Sequence, residues 1–181
     1  MSKAFTREDP GEDPVIVPER PPLPPGVPNY VTPRGKALLE EEHRRLSEAR
    51  ERLKAAAADE RVGQKQLAVI NRRLADVSER IATARVVQPP EHPDLIVRFG
   101  ATVTLKTREG PRAGEIRRIT LVGVDEAQER PELVSFSAPI ARALLGHRPG
   151  ETVTHPRQDG DELLEIQDVT YEPGGAGRNS A

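Results

Sequence analysis

The chain has 181 residues, of which only 35% are hydrophobic and 3% aromatic, with no tryptophan and no cysteine. That is too little apolar material for one compact core of this length, so an extended element is expected; the lack of cysteine excludes disulfides, thiolate metal sites and thiol catalysis. The net charge of −2 hides a division: residues 1–31 carry −2, residues 32–90 carry +4, residues 91–172 carry −5 and the tail carries +1, which suggests parts with different partners.

Residues 1–13 lack the apolar stretch of a signal peptide and no later run approaches a membrane span, so a soluble, cytoplasmic protein is expected. Eight prolines fall between Pro10 and Pro28. Residues 1–31 therefore read as an extended arm, largely disordered, that can neither form a helix nor pair into a sheet. It would serve as a tether, or alternatively as a docking strand.

Thr32 and Pro33 signal a helix start, with the threonine capping free amides and the proline at the first helical position. Leu39, Leu46 and Leu53 then recur every seven residues, and Leu67, Ile70, Leu74, Val77, Ile81 and Ala84 repeat the stripe at alternating spacings of three and four. Only a short connection around Asp59 to Gly63 separates the two runs, and Pro89 and Pro90 end the second. Residues 32–90 are thus expected to form an antiparallel helical hairpin.

After His92 the texture changes. Ala101, Val103 and Leu105 alternate with Thr102, Thr104 and Lys106, a period of two that predicts a strand. Further strands are predicted over Ile116 to Val124, Leu133 to Phe136, Glu151 to His155 and Leu163 to Tyr171, and a short helix over Pro139 to Leu145, stopped by Gly146. Residues 91–172 form a small, mostly antiparallel sheet domain, and the fold class is α+β. Residues 173–181 read as a flexible tail.

Six stretches carry a resemblance. They are Val31-Thr32-Pro33-Arg34-Gly35, Phe99-Gly100-Ala101-Thr102-Val103, Val122-Gly123-Val124-Asp125-Glu126-Ala127, the helix segment Ser137 to Gly146, Pro149-Gly150-Glu151-Thr152-Val153 and Leu164-Glu165-Ile166. In this order they resemble the Gre family of bacterial transcription elongation factors over residues 31–172. The resemblance implies an FKBP-like C-terminal domain that docks on RNA polymerase at its secondary channel, while the hairpin enters the channel. On this reading the chain is a monomeric regulator, not itself an enzyme, without a cofactor of its own. Its polymerase contacts would be Ser137, Pro139, Ile140, Arg142, Leu144, Gly146, Asp125 and Glu126.

Cleavage-stimulating members carry a tip of the form Gly-Asp-Leu-x-Glu-Asn-Ala-Glu-Tyr, whose carboxylates help hold Mg²⁺ in the polymerase. That tip is absent here, and each arm looks shorter, so weak or no cleavage stimulation is expected. The acidic pair Asp59-Glu60 would either hold Mg²⁺ jointly with polymerase, or simply cap the second helix and favour its positive end.

Arg45, Arg52, Arg73 and Arg80 flank the hairpin seam on one side, where like charges repel. Such a stripe would face RNA, DNA or an acidic polymerase surface, or be a solvated face neutralised by Glu48, Glu51 and Glu79. Other classes are weaker. The alternative of another class is a coiled-coil adaptor whose sheet domain binds some other protein. Prolyl isomerase chemistry needs an aromatic pocket, and the sheet domain offers Phe99, Phe136 and Tyr171, which read as core. His147, His155, Asp159 and Asp161 lack a recognisable metal-ligand spacing.

Overall fold

The computed structural model describes residues 20–56, 60–90 and 94–171. The expectations for Asp59, for residues 1–19 of the arm and for the tail concern residues outside these ranges. Two bodies are present. The first is a hairpin of α1 (Pro33–Ala56) and α2 (Glu60–Thr83), closed at its base by a parallel pair of two-residue strands, β1 (Tyr30–Val31) and β2 (Arg85–Val86). Thr32 caps α1 as its sequence position predicts: its Oγ1 accepts the Gly35 amide at 2.8 Å.

The seam is not buried evenly. Leu39, Leu74 and Val77 are buried, and Leu39 and Val77 cluster with Val31 from β1, whereas Leu46, Leu53, Leu67, Ile70 and Ile81 are only half-buried. Two helices packed on one stripe cannot enclose their contact, so only the base, where β1 adds a third wall, is dry. Each fully buried aliphatic there contributes about 1.5–3 kcal/mol.

The second body is a five-stranded sheet in the order β5-β4-β3-β7-β6, formed by β3 (Ala101–Glu109), β4 (Ile116–Val122), β5 (Leu133–Ser135), β6 (Thr152–His155) and β7 (Glu162–Tyr171). Every pairing is antiparallel except β4 with β5. The period of two is realised in burial: Val103 and Leu105, Ile119 and Leu121, and Leu164 and Ile166 are buried on one face under α3 (Pro139–Leu144). This core is aliphatic. Phe99 and Phe136, expected in it, instead meet Tyr30 at ring-centre distances of 6.1 and 5.9 Å respectively. They face the strand that closes the hairpin. Tyr171 does pack half-buried against the core, and it donates its hydroxyl to the Ile96 carbonyl at 2.5 Å.

The described part of the N-terminal arm also departs from expectation. Residues 20–31 pack as a strap across both bodies, and Tyr30–Val31 pairs as a strand despite the prolines before it. Proline bars pairing only at its own amide; Arg85 N donates to Asn29 O and Val87 N to Val31 O, so the strap's carbonyls make the bonds.

Candidate functional site

Two places bring the predicted site residues together: the joint between hairpin and sheet domain, and the surface of α3. The joint is built around Asp125 and Glu126, which open a 3-10 turn, Glu126–Gln128, after β4. Glu126 is 5% exposed. Its carboxylate accepts Thr32 Oγ1 at 2.5 Å and Arg34 Nη1 at 3.1 Å, so it binds the first turn of α1. Asp125 accepts Arg20 Nη1 at 2.6 Å, and its other oxygen lies 3.8 Å from Arg80 Nε. Arg20 reaches Glu42 on α1 with its second arm, at 2.5 Å. Alternating charge across Glu42, Arg20, Asp125 and Arg80 lets each half-buried ion keep an opposite neighbour.

Asp125 and Glu126, expected as outward contacts, are therefore internal. Their carboxylates are consumed in joining the two bodies. Arg80 also leaves its expected group. It is 8% exposed and donates to the Pro21 carbonyl, while Arg45, Arg52 and Arg73 remain on the exposed surface. Arg45 pairs with Glu41 at 2.7 Å and Arg52 with Glu48 at 3.8 Å within α1. Solvent screens both contacts, so they contribute little to folding. The basic flank is reduced to three arginines because α2's last turn turns Arg80 under the strap.

Gly35 and Gly123 complete the joint. A Cβ on Gly35 would stand 2.7 Å from Glu126 Oε2, and one on Gly123 would stand 2.7 Å from the Tyr30 carbonyl. Both glycines permit close backbone approach, a role a glycine inside a helical or strand pattern signals. What the sequence did not signal is the part played by Arg20, Asn29 and Tyr30, whose partners are 51 to 106 positions away for the pairs that matter: Asn29 with Arg80, Arg20 with Asp125, Tyr30 with Phe136.

On α3 the expected residues divide by face. Ala141 and Leu144 are fully buried, so Leu144 is core and not a contact. Ile140 and Leu145 pack half-buried against the same core, so the sheet face takes most of the apolar positions around this short helix. Ser137 shares its hydroxyl with Ser135 at 2.8 Å. Pro139, Arg142 and Gly146 remain exposed. Arg142 thus projects beside an exposed proline from a helix whose other side is locked into the core.

The tip is less informative. α2 begins at Glu60, whereas Asp59 and the Glu60 side chain lie outside the described residues. Among the described residues no three histidine or acidic side chains gather as a metal site; His147 Nδ1 lies 2.6 Å from Glu151, Asp159 accepts Arg157 at 2.9 Å, and His155 is buried on β6 with Glu162 as its register partner on β7. Glu162, with no exposure at all, receives paired hydrogen bonds from Arg112 at 2.6 and 2.9 Å and one from Arg117 at 3.3 Å. Those bonds hold its carboxyl below the usual range, against the opposing effect of burial. Burial, with Arg117 nearby, pushes His155 down.

Residues 92–171 match the family model described as transcription elongation factor GreA/GreB, C-terminal. Transcription elongation factor GreA of Nitratiruptor sp. is 32% identical over 140 residues, covering 75% of this chain and 84% of the relative. Transcription elongation factor GreB of Pseudomonas syringae pv. tomato is 32% identical over 115 residues, covering 64% of this chain and 71% of the relative. The solved structure of the GreA/GreB elongation factor from Nitrosomonas europaea is 23% identical over 80% of this chain and 99% of that one, with a TM-score of 0.39. A helical hairpin on a small sheet domain with these relatives is a transcription elongation factor. The chain belongs to the GreA/GreB family. Among the described residues no helix is long and apolar enough to cross a membrane.

Proposed function

We propose that the chain binds RNA polymerase through the exposed side of α3 and inserts its hairpin into the secondary channel, regulating elongation with little or no stimulation of transcript cleavage. It acts as a binding regulator and not as an enzyme. The observation that carries this reading is the division of α3: Leu144 is locked in the core while Arg142 and Pro139 are presented to solvent. A charged side chain on a rigid, core-anchored element is suited to recognition, because little ordering entropy is lost on binding. The absence of the cleavage tip motif from residues 57–63 supports the second half of the proposal. Helices of 24 residues each span about 36 Å, which sets the hairpin's reach.

The deciding experiment adds the protein to backtracked elongation complexes with Mg²⁺ and follows both co-purification with polymerase and the 3′ end of the RNA. Binding without shortening is expected. Rapid shortening that disappears in Asp59→Ala and Glu60→Ala variants would instead assign Mg²⁺-holding carboxylates to the tip.

A further inference from the structure

We propose that residues 20–31 form a clasp that fixes the angle between the hairpin and the sheet domain, with Arg20 as its latch. The two bodies keep separate hydrophobic cores: Val31, Leu39 and Val77 in one, and twelve buried residues from Val97 to Val169 in the other. Among the described residues no buried aliphatic belongs to both. A joint without a shared apolar core leaves relative motion as the default, so polar and aromatic contacts must hold the angle.

The direct contacts between hairpin and sheet domain come from the hairpin base, through Thr32 and Arg34 to Glu126 and the looser pair of Arg80 with Asp125 at 3.8 Å. The strap adds a connection to each element around the joint. Arg20 bridges Glu42 on α1 and Asp125 on the sheet domain with the two arms of one guanidinium. The planar fork holds its two nitrogens at a fixed separation, so one side chain ties both carboxylates in one geometry. Asn29, 5% exposed, donates to the Arg80 carbonyl at 2.9 Å and so holds the end of α2. The Tyr30 ring contacts Phe99 and Phe136, and its carbonyl fills the space that Gly123 leaves open. Two bodies that share no core are thus tied through twelve consecutive residues. The inference stands apart from polymerase binding: it concerns the geometry of the free protein and would hold or fail without any partner.

The test exploits the lack of cysteine. Cysteines replacing the exposed Ala55 on α1 and Arg118 on β4 accept spin labels, and pulsed electron resonance reads the distance between the bodies in the full chain. The native clasp should give one narrow distribution. Arg20→Ala combined with Asn29→Ala removes both charge-assisted bonds of Arg20 and the Asn29 bond to the Arg80 carbonyl, so it should broaden the distribution and raise the population at other distances by about tenfold or more. Arg20→Lys, which keeps the charge but loses the two-armed planar geometry, should fall between. An unchanged distribution in the double variant, with helicity preserved by circular dichroism, overturns the proposal. Should the double variant lose helicity, the labelled native-sequence clasp is titrated with salt instead: broadening supports the ionic latch, and an unchanged distribution overturns it.

Discussion

The Glu126 carboxylate occupies the space in which a side chain on Gly35 would begin, 2.7 Å from the position of its Cβ. Because Glu126 is buried and held by Thr32 and Arg34, it cannot swing aside without breaking those bonds. Gly35→Ala should therefore lower the melting temperature, the lost charge-assisted bonds (about 1.5–3 kcal/mol) outweighing the roughly 1 kcal/mol that alanine gains in a helix. Gly63→Ala makes the opposite case. Its Cβ would meet nothing within 4 Å in α2, so stability should rise by about 0.5–1 kcal/mol. Thermal melts of the two variants compare like substitutions with opposite signs.

Arg80 and Arg73 separate structural from exposed charge on one helix. Arg80→Gln leaves Asp125, itself nearly buried, with Arg20 as its remaining cation and should cost about 1–3 kcal/mol in chemical denaturation. Arg73→Gln, at an exposed position, should stay within about 0.5 kcal/mol of the parent. Neutralising Arg45, Arg52 and Arg73 together should leave melting nearly unchanged, and weaker polymerase binding at low salt would assign that flank to the partner.

Arg142→Glu tests the α3 surface. The side chain is exposed and its helix is anchored by Ala141 and Leu144, so melting should not move. Binding to core polymerase should fall at least tenfold, on the order expected for reversing a recognition charge. Wild-type binding by a folded variant would exclude this surface.

The polar end of the sheet core predicts acid lability. His155 has its folded pKa pushed below the ordinary value of about 6.5, so the unfolded chain takes up a proton first as pH falls, and stability declines from that value downward. Glu162, held low by Arg112, contributes stability that is complete above the ordinary carboxylate range and is lost as pH falls through it toward the folded value. Melting temperature should therefore drop in two stages below neutrality. His155→Gln should remove the first stage, which sets in as pH falls through about 6.5, and leave the second. A wild-type profile in that variant would place the titration elsewhere.

Much of the fold was legible in local pattern. The heptad stripe set the two helices, the period of two set the strands, and Thr32, Pro33 and Gly146 set ends, because these signals act between residues a few positions apart. Which charged side chains face outward was not legible. Asp125, Glu126 and Arg80 are polar in the sequence, and polarity is ordinarily a surface signal, yet tertiary contact turns all three inward. Leu144 reads as part of an exposed motif and is core.

The sequence by itself determined the two bodies, their secondary structure and the family. It did so through periodicity, turn chemistry and ordered motifs, all of them local. Only the tertiary structure decided how the bodies are joined: a proline-rich strap whose carbonyls, one arginine and one tyrosine find partners up to 106 positions away. Ion pairs and backbone bonds at such separation leave no periodic trace, since their energy depends on where the chain returns and not on which residues adjoin.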